Sequence, residues 1–429
     1  MKRSKFVIIF PSSIDNMFLL YNTLTGSLLK VDELTAKIFT LPWEDVNLNS
    51  IRPENLDILT QFSFLIPNEV DEDKIFEHFF FRINFEATSV TFTLIPTEKC
   101  NLKCTYCIMG QEKNNSTMSL EIAKDTAEWM INYLDTIHPR EFFLHLYGGE
   151  PLLNLKAIEL VSGRLKEFCR QKKIEFSISI ATNGILFTSD VAKRLKELGL
   201  ARASITLDGT RDFHNQTRPF PDGRGTYDII LKNILKTKDI IDIIINANYS
   251  IETVDSMVDL LDELSLYNLQ KKLRMVKFSP IIQNIRDKKP IGCSSLSNAN
   301  LADIHVRLRE EAIKRGFIPQ EGIGVNICGV TRAHDFTFDT NGDIYKCPAM
   351  AGIEKLKVGS IYEEDFSYLY IRFTTMNRWK KCRDCPYLPL CAGGCPYLAL
   401  LNKGNIEEIN CERKFLDGVG GRILEQDYA

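Results

Sequence analysis

Histidine is scarce in this sequence, six residues in 429, so a metal site built on imidazole is a poor expectation. No apolar run approaches the roughly 20 residues that cross a bilayer, which argues against a membrane-spanning helix and a membrane partner. An excess of one charge is also missing. The net charge is −3 with both signs interspersed, so there is no basic footprint for nucleic acid. The segment MKRSKFVIIFPSS starts basic, but its apolar run KFVIIF is shorter than a signal-peptide core and no small-residue cleavage site follows. It reads as a β-strand, and a cytoplasmic protein is expected. Internal repeats and low-complexity tracts are absent.

What the chain does have is cysteine, twelve in all. Apolar residues make up 44% and charged residues 25%, an ordinary globular balance, and a chain of this size does not need disulfide staples. Cys169 and Cys293 stand apart, while the other cysteines fall into three tight groups. Soft thiolates in such groups select iron–sulfur clusters or zinc. Cys169, in a helical stretch, reads as a buried structural thiol.

Three regions are expected. Residues 1–85 carry strand-like runs (KFVIIF, MFLLY, GSLLKV) and a helical stretch, DELTAKIFTL; residues 73–89 look like an acidic and aromatic connector. Residues 86–300 alternate strands with amphipathic helices. The strand candidates are 90–95, 142–147, 176–182, 201–207, 243–249 and 273–279, and the helix candidates 119–135, 154–170, 188–198, 226–239 and 252–266. Six such repeats predict an α/β fold, a partial (β/α)6 TIM-like barrel with its site at the C-terminal strand ends. Residues 301–429 hold one helical stretch and then a Cys-, Gly- and Pro-rich segment that metal ligation would organise.

The first cysteine group is Cys100-Asn-Leu-Lys-Cys104-Thr-Tyr-Cys107, just after the first barrel strand. Three thiolates in one loop can ligate three irons of a cubane and leave the fourth iron open for a substrate. A structural zinc site wants four protein ligands, and no fourth Cys or His is near. The loop resembles the CxxxCxxC signature of the radical S-adenosylmethionine (SAM) superfamily. Tyr147-Gly148-Gly149-Glu150-Pro151 after the second strand matches that family's GGEP motif, which binds the amino group of SAM. Thr182-Asn183-Gly184 ends the third strand, and Ser204 with Asp208-Gly209 fits the pattern of the fourth. His214-Asn-Gln-Thr-Arg218 and Gly223-Arg-Gly225-Thr226 look like the family's HxxxR and GxGT elements. The resemblance implies that Cys100, Cys104 and Cys107 hold a [4Fe–4S] cluster that cleaves SAM reductively. It further implies that Gly148, Gly149, Glu150, Pro151, Asn183 and Asp208 belong to the SAM site. Ser204 and Arg218 would take the SAM carboxylate, Tyr106 would lie near the adenine, and Asn246 and Asn248 would contact adenine or ribose.

Cys328, Gly342, Cys347, Cys382-x-x-Cys385, Cys391, Cys395 and Cys411 resemble the SPASM domain, which carries two auxiliary [4Fe–4S] clusters in peptide- and protein-modifying relatives. A pair of zinc ribbons is the competing reading of the CxxC spacing. The resemblance assigns Cys382, Cys385, Cys391 and Cys411 to one cluster and Cys328, Cys347 and Cys395 to the other, three clusters in all. The fourth ligand of the second auxiliary cluster is missing from 320–327, so that site is open or filled by Cys293. An open iron could take a substrate thiolate. Pro348 stands where sulfatase-maturing relatives carry a catalytic aspartate, which disfavours sulfatase maturation.

Residues 1–85 resemble the winged-helix-like domain with which peptide maturases bind a precursor's leader as an added strand. A structural cap on the barrel is the plainer alternative. The expected function is a maturase of a ribosomally made precursor peptide that installs a crosslink, thioether favoured and carbon–carbon possible. An external flavodoxin or ferredoxin would supply electrons. Maturation of a folded protein, of sulfatase or quinone-cofactor type, is the alternative enzyme, and a non-catalytic Fe–S or zinc scaffold that binds peptides is the alternative from another class.

Overall fold

The structure, a computed structural model, describes every residue except 111–114, 282–298, 321, 326 and 429. The N-terminal region is built on short strands. β1 (Lys2–Arg3) pairs antiparallel with the later β5 (Leu65–Ile66), and β2 (Val7–Pro11), β3 (Met17–Asn22) and β4 (Leu28–Asp32) form an antiparallel sheet in the order β2-β3-β4. Both faces of this sheet are covered. Val7, Ile9, Leu20 and Leu29 pack with residues of the helices Glu33–Thr40 and Pro53–Gln61, whereas Ile8, Phe10, Leu19 and Tyr21 pack on Tyr387, Leu390 and Leu424 far along the chain.

The stretch expected to be a connector is instead a helix, Glu72–Phe85. Asp71 caps it by accepting from the amides of Asp73 and Lys74, and the i,i+4 pair Phe76 and Phe80 supplies its buried stripe. Phe76 meets the Trp379 ring at 5.3 Å between centroids and also touches Phe6, so one side chain joins the N-terminal region to the cysteine-rich segment. Phe76→Ala is expected to lower stability by about 3 kcal/mol or more, read as a fall in Tm or in the denaturant midpoint.

The central sheet is the mostly parallel sheet of a partial barrel, and the fold is α/β. β6 (Ser89–Leu94), β7 (Glu141–Leu146), β8 (Glu175–Thr182), β9 (Leu200–Thr206), β10 (Asp242–Tyr249) and β11 (Met275–Pro280) are parallel neighbours in chain order. The longer helices between them are Leu120–Ile137, Leu155–Lys172, Ser189–Leu198, Tyr227–Thr237 and Val254–Leu266, with a short one, Arg211–Thr217, after β9. Ser119 and Thr188 cap the first and third of these by accepting from backbone amides. Along β7 and β10 burial alternates strictly. Phe142, Leu144 and Leu146 are buried under the helices, while Phe143 and His145 are half-buried on the inner face.

The cysteine-rich region does more than hang from the barrel. β12 (Phe336–Phe338) pairs in parallel with β6 and continues through the antiparallel β13 (Asp343–Tyr345) and β14 (Gly359–Ser360), making one sheet of nine strands. Phe92, Trp129, Phe336 and Phe338 form an aromatic cluster along that seam. Among the described residues no helix is long and apolar enough to cross a membrane.

Candidate active site at the strand C-termini

The loop after β6 carries Cys100, Cys104 and Cys107. Its backbone is tied to a distant segment, since the amide of Lys103 donates to the carbonyl of Pro219 and that of Thr105 to Thr217, each at 2.9 Å. The Cys100 sulfur accepts from the amide of Leu102 at 3.4 Å and from Asn183 Nδ2 at 3.8 Å. Asn183 also donates to Asn101 at 2.7 Å, so the end of β8 holds the cysteine loop in place.

These cysteines open onto a cavity of about 470 Å³ at the C-terminal ends of the barrel strands. Tyr106, Gly148, Gly149 and Asn183 line it, as do Ser204, Arg218, Asn246 and Asn248. Glu150, Pro151 and Asp208 lie behind that lining. Glu150 is fully buried and committed to structure: it accepts from Thr182 Oγ1 and the Asn183 amide at 2.8 Å each, and from the Leu152 amide at 3.2 Å. Burial pushes its pKa up.

Asp208 is also fully buried. It accepts from the Tyr106 hydroxyl and, at 2.8 Å, from the amide of Asn248, and burial raises its pKa although Arg218 lies 3.9 Å away. Arg218 Nη1 donates to the Tyr106 oxygen at 2.8 Å, yet its buried Nε has no partner. A buried guanidinium N–H without an acceptor is costly, and this one sits in the cavity wall. His214 explains the HxxxR spacing: it accepts from the Asp208 amide at 3.1 Å and bonds Thr226, whose hydroxyl donates to the Arg218 carbonyl at 2.7 Å. The HxxxR and GxGT elements therefore lock the turn that carries Arg218.

A match to the radical SAM superfamily model covers residues 94–264, the span that contains the loop, the cavity and these locks. The chain carries a radical SAM domain. Members of this family use a [4Fe–4S] cluster and SAM. The chain is 25% identical to a cysteine-type anaerobic sulfatase-maturating enzyme of Clostridium novyi, over 70% of this chain and 85% of that protein. It is likewise 25% identical to the radical SAM cyclopropyl synthase TigE of Paramaledivibacter caminithermalis, over 60% of this chain and 59% of that one. The fold is similar to that of Streptococcus suis SuiB bound to precursor peptide SuiA, with a TM-score of 0.55 at 16% identity, covering 96% and 98% of the two chains.

The residues of the radical SAM domain fit the family's groups. Three cysteines share one short loop, and the orphaned Nε of Arg218 gives an anion a place to bind.

The remaining cysteines gather in two sets. Cys347 is pushed up to about 12 by burial and by neighbouring Cys328 and Cys395. Cys391 reaches about 12 through burial, Glu412 and the nearby Cys382 and Cys385, while burial, Cys385 and Cys411 raise Cys382. The grouping is thus Cys328, Cys347 and Cys395 on one side and Cys382, Cys385, Cys391 and Cys411 on the other. Buried thiols crowded in this way become thiolates only against a cation. No disulfide joins the described cysteines, and among the described residues no three His, Cys, Asp or Glu side chains meet the geometry of a single metal ion.

Between Cys391 and Cys395 the chain turns through three left-handed residues, Ala392, Gly393 and Gly394. A Cβ on Gly394 would lie 1.9 Å from the Asn410 carbonyl, so only glycine brings these two cysteines onto their separate sets. Buried Arg378 donates to the carbonyls of Gly393 and Gly394 and holds that turn. Cys169 is fully buried in its helix, and Cys293 lies outside the described residues.

Sequence reasoning missed Lys277 and Ser279, which also line the cavity, and His145 beneath them, and it gave no role to Tyr147, the lining residue that heads the GGEP stretch. The alternation along β11 was the available signal, because it puts Lys277 on the face of Ser279 and opposite Val276 and Phe278.

Proposed function

We propose that this chain is a radical SAM maturase that installs an intramolecular crosslink in a ribosomally made precursor peptide. The observation that carries the reading is the single cavity wall shared by the three-cysteine loop and the Arg218 lock, with two further cysteine sets behind it. Cys100, Cys104 and Cys107 would hold the cluster that supplies the electron for cleaving SAM to methionine and a 5′-deoxyadenosyl radical. The two other sets would hold auxiliary clusters of a SPASM domain, an electron sink for the oxidation that follows. Gly148, Gly149 and Asn183 would orient the amino end of SAM, Ser204 and Arg218 its carboxylate, and Tyr106, Asn246 and Asn248 its nucleoside. The barrel keeps water from the carbon that loses hydrogen. Residues 1–85 would bind the leader along the edge strand β4, leaving an external flavodoxin or ferredoxin to deliver electrons.

The likeness to the precursor-bound SuiB structure supports a peptide substrate. The three-thiol set of Cys328, Cys347 and Cys395 favours a thioether over a carbon–carbon bond, since an open iron there suits a substrate sulfur. Similarity to the Clostridium novyi enzyme favours a folded-protein substrate instead, but Pro348 cannot exchange a proton where that chemistry needs a base.

The reconstituted protein is expected to form 5′-deoxyadenosine after dithionite reduction. Its coexpressed peptide should lose two hydrogens for each linkage, read by mass spectrometry. A fully reconstituted protein that leaves SAM intact would end the proposal, and a scaffold role would replace it.

A further inference from the structure

One wall of the cavity is left over once the SAM-directed residues are assigned. It is formed by Lys277 and Ser279 on β11, next to the SAM-directed Asn246 on β10. The register sets Lys277 level with Asn246 and Ser279 level with Asn248, and Ser279 Oγ donates to Asn246 Oδ1 at 3.0 Å. Beneath Lys277 lies His145, whose Nδ1 is 2.9 Å from Ser179 Oγ.

The charge balance of this wall is uneven. Among the described residues the cavity lining contains two cations, Arg218 and Lys277, and no aspartate or glutamate. Arg218 has Asp208 behind it at 3.9 Å. Lys277 has no counterpart: among the described residues no carboxylate lies within ion-pair distance of its ammonium, which is exposed to the cavity between buried Val276 and Phe278. His145 cannot supply the missing anion. Enclosure by the barrel and the neighbouring Lys277 hold it neutral, down at about 4.

While the cavity is wet, water solvates the ammonium at little cost. When a peptide fills the cavity and expels that water, an unpaired cation becomes expensive, and an anion on the peptide removes the cost. SAM brings one carboxylate, and Arg218, with its orphaned Nε, already answers to it. We propose that Lys277 is a specificity-determining residue that binds a carboxylate of the substrate peptide. That carboxylate is an Asp or Glu side chain, or the C-terminus, close to the carbon that loses hydrogen. This inference rests on the maturase reading above.

The test uses the reconstituted full-length protein with SAM bound and three short probe peptides. They are N-acetyl-Gly-Glu-Gly-amide, its Gln twin N-acetyl-Gly-Gln-Gly-amide, and N-acetyl-Gly-Gln-Gly with a free C-terminus. Binding is followed by calorimetry, and iron content checks the integrity of each variant. One charge-assisted hydrogen bond predicts that the Glu peptide or the free-acid peptide binds about tenfold or more tightly than the neutral twin. The preferred probe tells a side-chain carboxylate from a terminal one. Lys277→Gln is expected to erase the preference and Lys277→Arg to keep most of it. Three results would each overturn the inference: no carboxylate preference in the unmodified protein, a preference that survives in Lys277→Gln, or a matching loss of SAM affinity in Lys277→Gln, which would assign the ammonium to the SAM carboxylate. If the maturase reading itself fails, SAM is left intact or the coexpressed peptide keeps its full mass; if only this inference fails, SAM is cleaved, the peptide loses two hydrogens per linkage and the probes bind alike.

Discussion

Replacing Cys100, Cys104 and Cys107 together with alanine is expected to abolish 5′-deoxyadenosine formation while leaving a folded protein that still holds iron. The loss is chemical rather than structural. The loop keeps its shape through backbone bonds, Lys103 to Pro219 and Thr105 to Thr217, which alanine does not touch. Cys104 is buried and small, so its truncation opens little space. What disappears is the thiolate set proposed to hold the cubane, and with it the proposed route for an electron into the sulfonium. Enzymic rate enhancements of about 10⁶-fold or more imply that no product is detected without that route. With one cluster in each C-terminal cysteine set, as proposed, iron and sulfide should fall by about a third, because those sets are untouched. Product assay by chromatography, iron analysis and low-temperature EPR of the dithionite-reduced protein check the result together. Continued formation of 5′-deoxyadenosine would mean that another cysteine set does the cleavage. Loss of all the iron would mean that the three sites do not fold independently.

Much of this site could be read before the fold was known, for a physical reason. The radical SAM chemistry draws on strand ends, and strands such as FSISIAT and IIINANY announce themselves through β-branched residues. Motifs that follow such runs therefore map directly onto one end of a barrel, which is how Cys100, Gly149, Asn183 and Ser204 came to share a cavity. The division of the C-terminal cysteines came from resemblance alone, and the spatial neighbours of Cys347 and Cys382 follow the same division.

Other features were hidden because their signals are long-range. Phe336–Phe338 is only three residues long, too short for periodicity, and becomes a strand because β6 offers an open edge. The helix Glu72–Phe85 was masked by charge, although Asp71 and the Phe76–Phe80 pair mark it in retrospect. Glu150 reads as a ligand for an ammonium, yet its oxygens are occupied by Thr182, Asn183 and Leu152. It therefore acts on the cavity by positioning Asn183 at its wall. Lys277 is an ordinary strand lysine until the sheet curves round the cavity and, among the described residues, no acid faces it.

Gly149→Ala is expected to be almost as damaging as loss of the cysteines, through crowding alone. Residues 97–99 and 149–150 are held together backbone to backbone, with the Gly149 amide donating to the Thr97 carbonyl at 3.0 Å and the Glu150 amide to that of Lys99 at 2.8 Å. A Cβ on Gly149 would lie 2.2 Å from the Lys99 carbonyl oxygen and 2.3 Å from that of Glu98. Neither atom is the end of a flexible side chain, so the two backbones must part. Lys99 immediately precedes Cys100, and the displacement passes straight into the cysteine loop. Overpacking of this kind costs about 1–3 kcal/mol of stability. The larger effect falls on function, because a misplacement of about 1 Å at a reacting centre can cost a hundredfold. SAM affinity and the rate of SAM cleavage should therefore drop together by about a hundredfold while most of the fold survives. Gly163→Ala is the matched control. That glycine sits on the helix Leu155–Lys172, where the nearest atom to an added Cβ is Leu198 at 3.9 Å, and alanine there should stabilise by up to about 1 kcal/mol. Calorimetric titration with SAM and thermal melts of both variants separate the two effects. Normal SAM affinity in Gly149→Ala would show that the contact between these backbones plays no part in holding SAM.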